Sequence, residues 1–508
     1  MSKKDLFLII LVFLLGYYLR VRYLPGNILT FGYDQARDAF SAQEIIGGDF
    51  KILGPPASTP GLYHGVFYYY FLAVPYLFGK NPINAAYWVA LFNAGTAFII
   101  YYLAYLMTKN KVSGLIAAIL FAISFEATQY ATWLSNPTIG VWTVPLIYLG
   151  LWGWLFENKK WGPIVLGLGL GLSIQAEIFL AYHIVPVSLW MFNQRKKVKR
   201  SSLFNLALVL LLTLSSMILV EFKFGFKGLS GLSQLAVRKQ MSLAYATSIG
   251  DYLVLYLNQI GRIFAFNSYP GNIGYGGALV IGIIIYFIFY SKKFRNKDLF
   301  LVGMFLATWL FSHLTVVTVG GDSTPFLMVG IGSAVAITLG IFIGKLVKEG
   351  QYVGGGLLFL ILILGNLTMI GRENVKGATL FAIQKDMLLK NELDTLDWVY
   401  NKSSDEKFSI NTITSPLWIN TTWSYLFNWY GLEEYGNLPY WHGRDQVGRQ
   451  GNNLEVPPEK VSSYFLIAEP PEGIPLKFYN DEFALEEANF GTYTKRINFG
   501  EIIIEQRI

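Results

Sequence analysis

The stretch Lys3-Lys4-Asp5-Leu6-Phe7-Leu8-Ile9-Ile10-Leu11-Val12-Phe13-Leu14-Leu15-Gly16-Tyr17-Tyr18-Leu19-Arg20 decides the fold class. It is a continuous apolar run flanked by basic residues, long enough for a helix that crosses a bilayer. No small-x-small cleavage signature follows it, so it reads as a retained first span and not as a leader. Further apolar runs of spanning length follow at 83–108, 112–131, 138–156, 161–178, 179–194, 202–222, 276–291, 298–319, 325–346 and 352–371. With the first run at 4–24, they predict about eleven transmembrane helices. Lysine and arginine cluster before the first run and after the second, fourth, sixth, eighth and tenth. If every run crosses, all these clusters fall on one side, which predicts a cytoplasmic N-terminus and a C-terminal segment outside.

Composition points the same way. Of 508 residues, 53% are hydrophobic and only 14% charged, and the mean hydropathy is +0.42. That is far below the ~25% charge of soluble domains. Aromatic residues make up 16%, and Tyr and Trp suit the two membrane interfaces. The net charge of +7 sits in short loops as an orientation signal, so no nucleic-acid partner is expected. The chain has no cysteine, which excludes disulfides, thiolate nucleophiles and thiolate metal sites.

Three segments lie on the outer side in this reading. The first, 25–82, contains a helical stretch from Tyr33 to Ile46 ended by Gly47-Gly48, then the irregular loop Gly54-Pro55-Pro56-Ala57-Ser58-Thr59-Pro60-Gly61. After it, Val66 to Phe78 is apolar and aromatic but too short to span, so it is expected as an interfacial amphipathic helix. The second segment, Lys223 to Tyr275, carries Arg238, Lys239, Asp251 and Arg262. The third is the tail. Its residues 379–400 have helical spacing, and strand-like runs follow at 407–413, 464–468 and 501–508, around an aromatic stretch from Trp418 to Trp441. The expected organisation is a polytopic α-helical membrane module, 1–371, and a small extracytoplasmic α+β domain, 372–508.

The densest polar cluster is Tyr33-Asp34-Gln35-Ala36-Arg37-Asp38, directly after the first span. Asp34 and Asp38 share a helix face. They fit a general base or a metal ligand, or simply the acidic first turn of a solvated helix. His64 is flanked by Gly61 and Gly65, which permit close backbone approach to a ligand; a lone histidine is more often structural. Glu126, in Ser124-Phe125-Glu126-Ala127-Thr128-Gln129-Tyr130, is a second candidate acid or a solvated helix end. Glu177 sits between two merged runs, and an acid near mid-membrane is a functional suspect. Arg238, Lys239 and Arg262 suit an anionic headgroup as well as they suit a solvated loop. No Walker loop and no HExxH motif is present.

On these residues the chain resembles the GT-C superfamily of membrane glycosyltransferases, and within it the protein O-mannosyltransferases and the aminoarabinose transferases acting on lipid A. The resemblance runs over nearly the whole length. Those families carry an Asp, often followed by Glu, just after the first span. Here Asp34 is followed by Gln35, and Asp38 is the available substitute. Their outer loop has a Pro-Pro stretch with a basic residue before a surface helix. Here Pro55-Pro56 comes early and His64 stands near the position where a lysine is often found. Ser135-Asn136-Pro137 is also similar to the family.

The resemblance implies a polyprenyl-phosphate sugar donor and a lipid, glycan or protein acceptor. Asp34 would be the general base, with Asp38 and Glu126 as further catalytic acids, and displacement would invert the anomeric centre. Arg238, Lys239, Arg262, His64 and Arg37 would be the cations for the leaving phosphate, with Lys51 in reserve. Such enzymes often need no metal; a divalent ion held by Asp34, Asp38 and Glu126 is the alternative. Three other readings share parts of this pattern: a flippase for a lipid-linked glycan, a glycan ligase or oligosaccharyltransferase, and a catalytically dead scaffold. The few mid-span charges and the lack of an internal repeat speak against transport.

Overall fold

Helix boundaries follow local sequence signals. In the computed structural model, which describes residues 3–57, 61–231, 248–293, 297–315, 325–403, 407–444, 454–457, 461 and 463–507, α1 runs from Lys3 to Val21. Helix α2, Tyr33–Ile46, starts at Gly32, whose N–H is accepted by the Gln35 side chain at 2.9 Å, and stops at Gly47. Helix α3 is Phe67–Tyr76. Asn81 and Pro82 open α4, Pro82–Thr108. Asn110 caps α5, Lys111–Ala122, and Ser124 caps α6, Phe125–Ala131. Then come α7 (Gly140–Leu155), α8 (Gly162–Ala176), α9 (Ile184–Asn193), α10 (Arg200–Thr213) and α11 (Ser215–Lys223). They are followed by α12 (Ile249–Phe266), α13 (Ile273–Lys293), α14 (Lys297–Leu310), α15 (Ile331–Lys348) and α16 (Tyr352–Glu373).

Among the described residues, six helices are long and apolar enough to cross a membrane, and eight are if the bent pairs α5–α6 (54°) and α10–α11 (58°) each make one span. Each of the eleven expected runs carries helix. Those at 161–178, 179–194 and 298–319 hold shorter apolar helices, as does 253–266 within the second loop.

The tail forms helix α17 (Leu389–Ser403), the short helices α18 (Thr421–Leu426) and α19 (Leu432–Tyr435), α20 (Leu476–Phe490) and a sheet. The five strands are β1 (Phe408–Ile413), β2 (Tyr440–Trp441), β3 (Ser463–Ala468), β4 (Lys495–Phe499) and β5 (Ile502–Arg507), in the order β2-β1-β3-β5-β4. Strand β1 pairs in parallel with β2 and β3, while β5 is antiparallel to both β3 and β4. The expected helix over 379–400 begins only at Leu389. Residues before it are taken up by the chain entering α2: Phe31 N–H donates to Met387 O at 2.9 Å, and Leu389 N–H to Leu29 O at 3.0 Å. A backbone engaged in these cross-chain bonds cannot also close helical turns.

Two cores result. One fills the helical bundle. The other runs unbroken from the first loop into the sheet and contains Phe31, Ala39, Tyr68, Leu396, Trp423 and Phe465. Helix α3 belongs to this second core. Seven of its ten residues are buried, so most of the helix is packed in protein and not laid with one face in lipid as expected; the exposed apolar residues are Val74 and, just beyond the helix, Leu77 and Phe78. Tyr68, Phe71, Leu72 and Tyr76 are shielded by protein on most sides, which an aromatic helix achieves by packing against several neighbours.

Glu392, in the first turn of α17, is fully buried, and neither carboxyl oxygen has a hydrogen-bond partner among the described residues. Burial, and after it the nearby Glu469, holds this carboxyl well above the usual carboxylate range. A folded value above the unfolded one of ~4.3 contributes stability below that pH and loses it as pH rises. The non-titrating Glu392→Gln variant is therefore expected to gain on the wild type, by roughly 2–4 °C in melting temperature between about pH 5 and about pH 8. A difference that stays constant over that range would mean that Glu392 does not hold its proton in the folded protein.

Candidate active site

The first turns of α2 bring three charges together. Arg37 donates from Nη1 to Asp34 Oδ1 at 2.6 Å, and from Nε and Nη2 to Asp38 Oδ1 at 2.8 and 2.7 Å. The three side chains differ sharply in exposure: 57% for Asp34, 9% for Arg37 and none for Asp38. Asp38 is thus an internal anchor, and Asp34 is the carboxylate that meets solvent. Burial pushes the Asp38 carboxyl up to about 7 against the pull of Arg37. Burial also works against the Arg37 cation, but Asp38 and Asp34 outweigh it and hold the guanidinium well above its ordinary value. The Tyr33 ring lies 5.5 Å from the guanidinium carbon. Gln35 Nε2 donates to Leu134 O at 3.3 Å, tying α2 to the turn after α6.

His64 lies in a tightly folded loop. Its N–H donates to Pro55 O at 2.9 Å, and Gly65 N–H donates to Gln175 O at 2.7 Å. A side chain at Gly54 would collide with the backbone of His64 and Gly65, which is why that position needs glycine. The buried His64 ring accepts at Nδ1 from Ile178 N–H at 3.3 Å, with Glu177 Oε1 3.6 Å away. Its proton is therefore on Nε2. Burial first, and Arg37 second, push the imidazole down to about 3, so His64 offers a neutral N–H donor and no positive charge. A cavity of about 650 Å³ opens beside it, lined chiefly by apolar side chains such as Leu53, Ile178, Met217 and Phe222, with Glu221 and Lys227 among them.

Glu126 is not a solvated helix end. It is 3% exposed in the first turn of α6 and accepts from Asn267 Nδ2, while its other oxygen has no partner among the described residues. Ser124 Oγ donates to Asn267 Oδ1 at 2.6 Å. Gly332 leaves the room that the carboxylate fills. Arg262 is half-buried on α12, the helix that ends at Asn267, and its charge acts on Tyr130. Arg238 and Lys239 lie outside the described residues. Lys51 pairs with Glu44 at 2.7 Å and with Asp49.

The structure therefore joins Asp34, Arg37 and Asp38, with His64 within reach of Arg37's field, and gives Glu126 a separate network. Among the described residues, no three Asp, Glu or His side chains form a group that could hold a metal ion. The alternative Asp34–Asp38–Glu126 set is not among such groups: Arg37 pairs with the first two and Asn267 with the third. Sequence reading named Arg37 only as a phosphate cation; the i, i+3 and i, i+1 spacing of Asp34, Arg37 and Asp38 was the available signal for its pairing role.

No family model matches the sequence, and no curated protein does. The chain shares its fold with ArnT from Cupriavidus metallidurans. Against the apo crystal structure the TM-score is 0.58 at 12% identity, covering 99% of this chain and 98% of that one. Against the same protein bound to undecaprenyl phosphate it is 0.58 at 12%, covering 100% and 99%. The Archaeoglobus fulgidus oligosaccharyltransferase in complex with zinc and sulfate matches at a TM-score of 0.46 and 16% identity, over 78% of this chain and 56% of that one. The likeness to ArnT, at this identity, is one of fold over the full length of both chains.

The buried pair sets a direct test. Arg37→Met alone strands Asp38 without its counter-charge and is expected to cost about 3–5 kcal/mol of stability. The double variant Arg37→Met/Asp38→Leu should regain most of that loss in thermal unfolding. Additive losses would show that the two side chains are not coupled.

Proposed function

We propose that the chain is an inverting membrane glycosyltransferase that moves a sugar from a polyprenyl-phosphate donor to an acceptor hydroxyl on the outer side of the membrane. The observation that carries this reading is Asp34. On the fold of ArnT, the helix after the first span presents one solvent-facing carboxylate. Arg37 holds it from behind, and an apolar cavity lies beside the neighbouring His64 loop. The ArnT structure with undecaprenyl phosphate supports a lipid-phosphate donor for this chain. In this reading all eleven apolar runs cross, the N-terminus is cytoplasmic, and residues 372–508 form an outer domain.

The chemistry follows from these groups. The acceptor oxygen attacks the anomeric carbon and passes its proton to Asp34, while the bond from that carbon to the phosphate oxygen breaks. The electron pair leaves with the polyprenyl phosphate. One displacement inverts the centre. Arg37 is spent on aligning Asp34 and fixing it to the buried Asp38, so it orients the base and does not bind phosphate. His64 Nε2–H, Arg262, Arg238 and Lys239 are the groups assigned to the leaving phosphate. The apolar cavity suits the isoprenoid chain.

The test is a transfer assay on purified protein in nanodiscs, offered a panel of polyprenyl-phosphate sugars and acceptors, with released polyprenyl phosphate as the readout. Asp34→Asn should lower turnover by about 10²–10⁴, the usual contribution of a positioned base. Substantial turnover by Asp34→Asn would remove Asp34 from that role. Passage of an unconsumed donor across the vesicle bilayer would favour transport.

A further inference from the structure

The helix that carries Asp34 is held at its first turn by the tail of the chain. Tyr33 N–H, one of the amides that an α-helix leaves unpaired at its start, donates to Gln384 Oε1 at 3.2 Å. The same Gln384 donates from Nε2 to Glu469 Oε2 at 3.0 Å and to Ser415 O. Glu469 follows β3 directly, is 1% exposed, and is itself fixed from three more sides. Ser415 N–H donates to its Oε2 at 2.8 Å, Trp423 Nε1–H to its Oε1 at 3.1 Å, and Tyr479 O–H to its backbone carbonyl at 2.7 Å. A side-chain carbon at Gly32 would stand 2.6 Å from Gln384 Oε1, so glycine there is what lets Gln384 approach. On the far side of α2, Tyr425 packs edge-on against Phe40 at 5.1 Å, and its hydroxyl accepts from Gln43 Nε2 at 2.9 Å.

We infer that Gln384 and Glu469 are positioning residues for the reaction at Asp34, through which the C-terminal sheet fixes the start of the helix presenting the base. This rests on the reading of Asp34 as that base. The reasoning is geometric. Asp34 is adjacent to the amide that Gln384 holds, and its side chain is otherwise tethered only by Arg37 on the same helix. A tether within the helix sets the side-chain rotamer but not where the helix start sits. Gln384, whose amide group is locked between Tyr33 and the carboxyl group of Glu469, contributes to that placement at the first turn, beside the Gln35 bond to Leu134. Glutamine suits the position because it must accept from one partner and donate to the other. Alanine does neither, and an ionised glutamate cannot donate to Glu469.

The full-length protein in nanodiscs tests this in two readouts. Gln384→Ala should speed amide hydrogen exchange over Tyr33–Arg37 by about tenfold, the scale of one lost hydrogen bond, with β1 and β3 peptides exchanging as in the wild type. In the transfer assay it should lower kcat by about tenfold with donor KM held within about twofold, the signature of lost alignment and not of lost binding. Gln384→Glu should behave like alanine. Wild-type exchange at α2, or wild-type kcat while Asp34→Asn is inactive, would overturn the inference and leave Asp34 as the base. Faster exchange throughout the sheet would also overturn it, by making Gln384 a general stabiliser. An active Asp34→Asn would instead sink the reading of the base, and the positioning role with it.

Discussion

Every backbone group freed at a helix break within the bundle must find a partner inside the protein, and the break between α5 and α6 is where that requirement organises the molecule. Arg20, 2% exposed near the end of α1, donates to Ala122 O at 2.8 Å and Gly16 O at 2.7 Å, and from Nε to Asn93 Oδ1 at 2.7 Å. Asn93 in turn donates to Ala127 O at 3.0 Å. On the other side of the break, Asn366 of α16 accepts Phe125 N–H at 3.0 Å, and Ser124 caps α6. One arginine and three short polar side chains thus join α1, α4, α5, α6 and α16 at a single point. A buried cation is costly, but here its donors are met by the Ala122 carbonyl at the break, the Gly16 carbonyl and the Asn93 side-chain oxygen. Pinning the end of α1 there also limits where the short connection to α2 can place Asp34.

The start of α2 is built on a second constraint of the same kind. Arg37 is buried between one internal and one external carboxylate, so the charge that aligns Asp34 is anchored by Asp38. The two acids are only four residues apart, yet their environments give them different roles: one is shielded from solvent, the other is half exposed. The second core, shared by the first loop and the sheet, then makes the tail part of the site's framework.

The sequence made the bundle, the boundaries of α2 and three of the strands legible, because each rests on local signals: long apolar runs, Gly47-Gly48 after Ile46, and short runs rich in aliphatic and aromatic residues. What it hid depends on contacts distant along the chain. Residues 379–388 have helical spacing but pair with the entry to α2. The aromatic spacing of Tyr68 to Tyr76 reads equally as a lipid-facing or a protein-packed helix. Strand β4 starts with Lys495 and Arg496, both exposed on an edge, which disguises it. Within the site, Asp34, Asp38 and Glu126 were all visible as acids. Their separation into an exposed carboxylate, a buried anchor and a member of another network is set by burial, which spacing does not reveal.

Gln35 shows how a departure from the pattern of the families the sequence resembles can carry a physical gain. Where those families often place an acid after the Asp, this side chain accepts from Gly32 N–H and donates to Leu134 O. An ionised glutamate could keep the first bond but not the second, since it has no donor, and it would add a negative charge beside Asp34 and Asp38 with only Arg37 to offset three. Glutamine trades that charge for a link between α2 and the turn after α6. The link, the Gln384 bond at Tyr33 and the Arg37 pair approach the start of α2 from three directions. Asp34 can then stand as a single exposed carboxylate because the helix beneath it is held from three directions by neutral or compensated contacts.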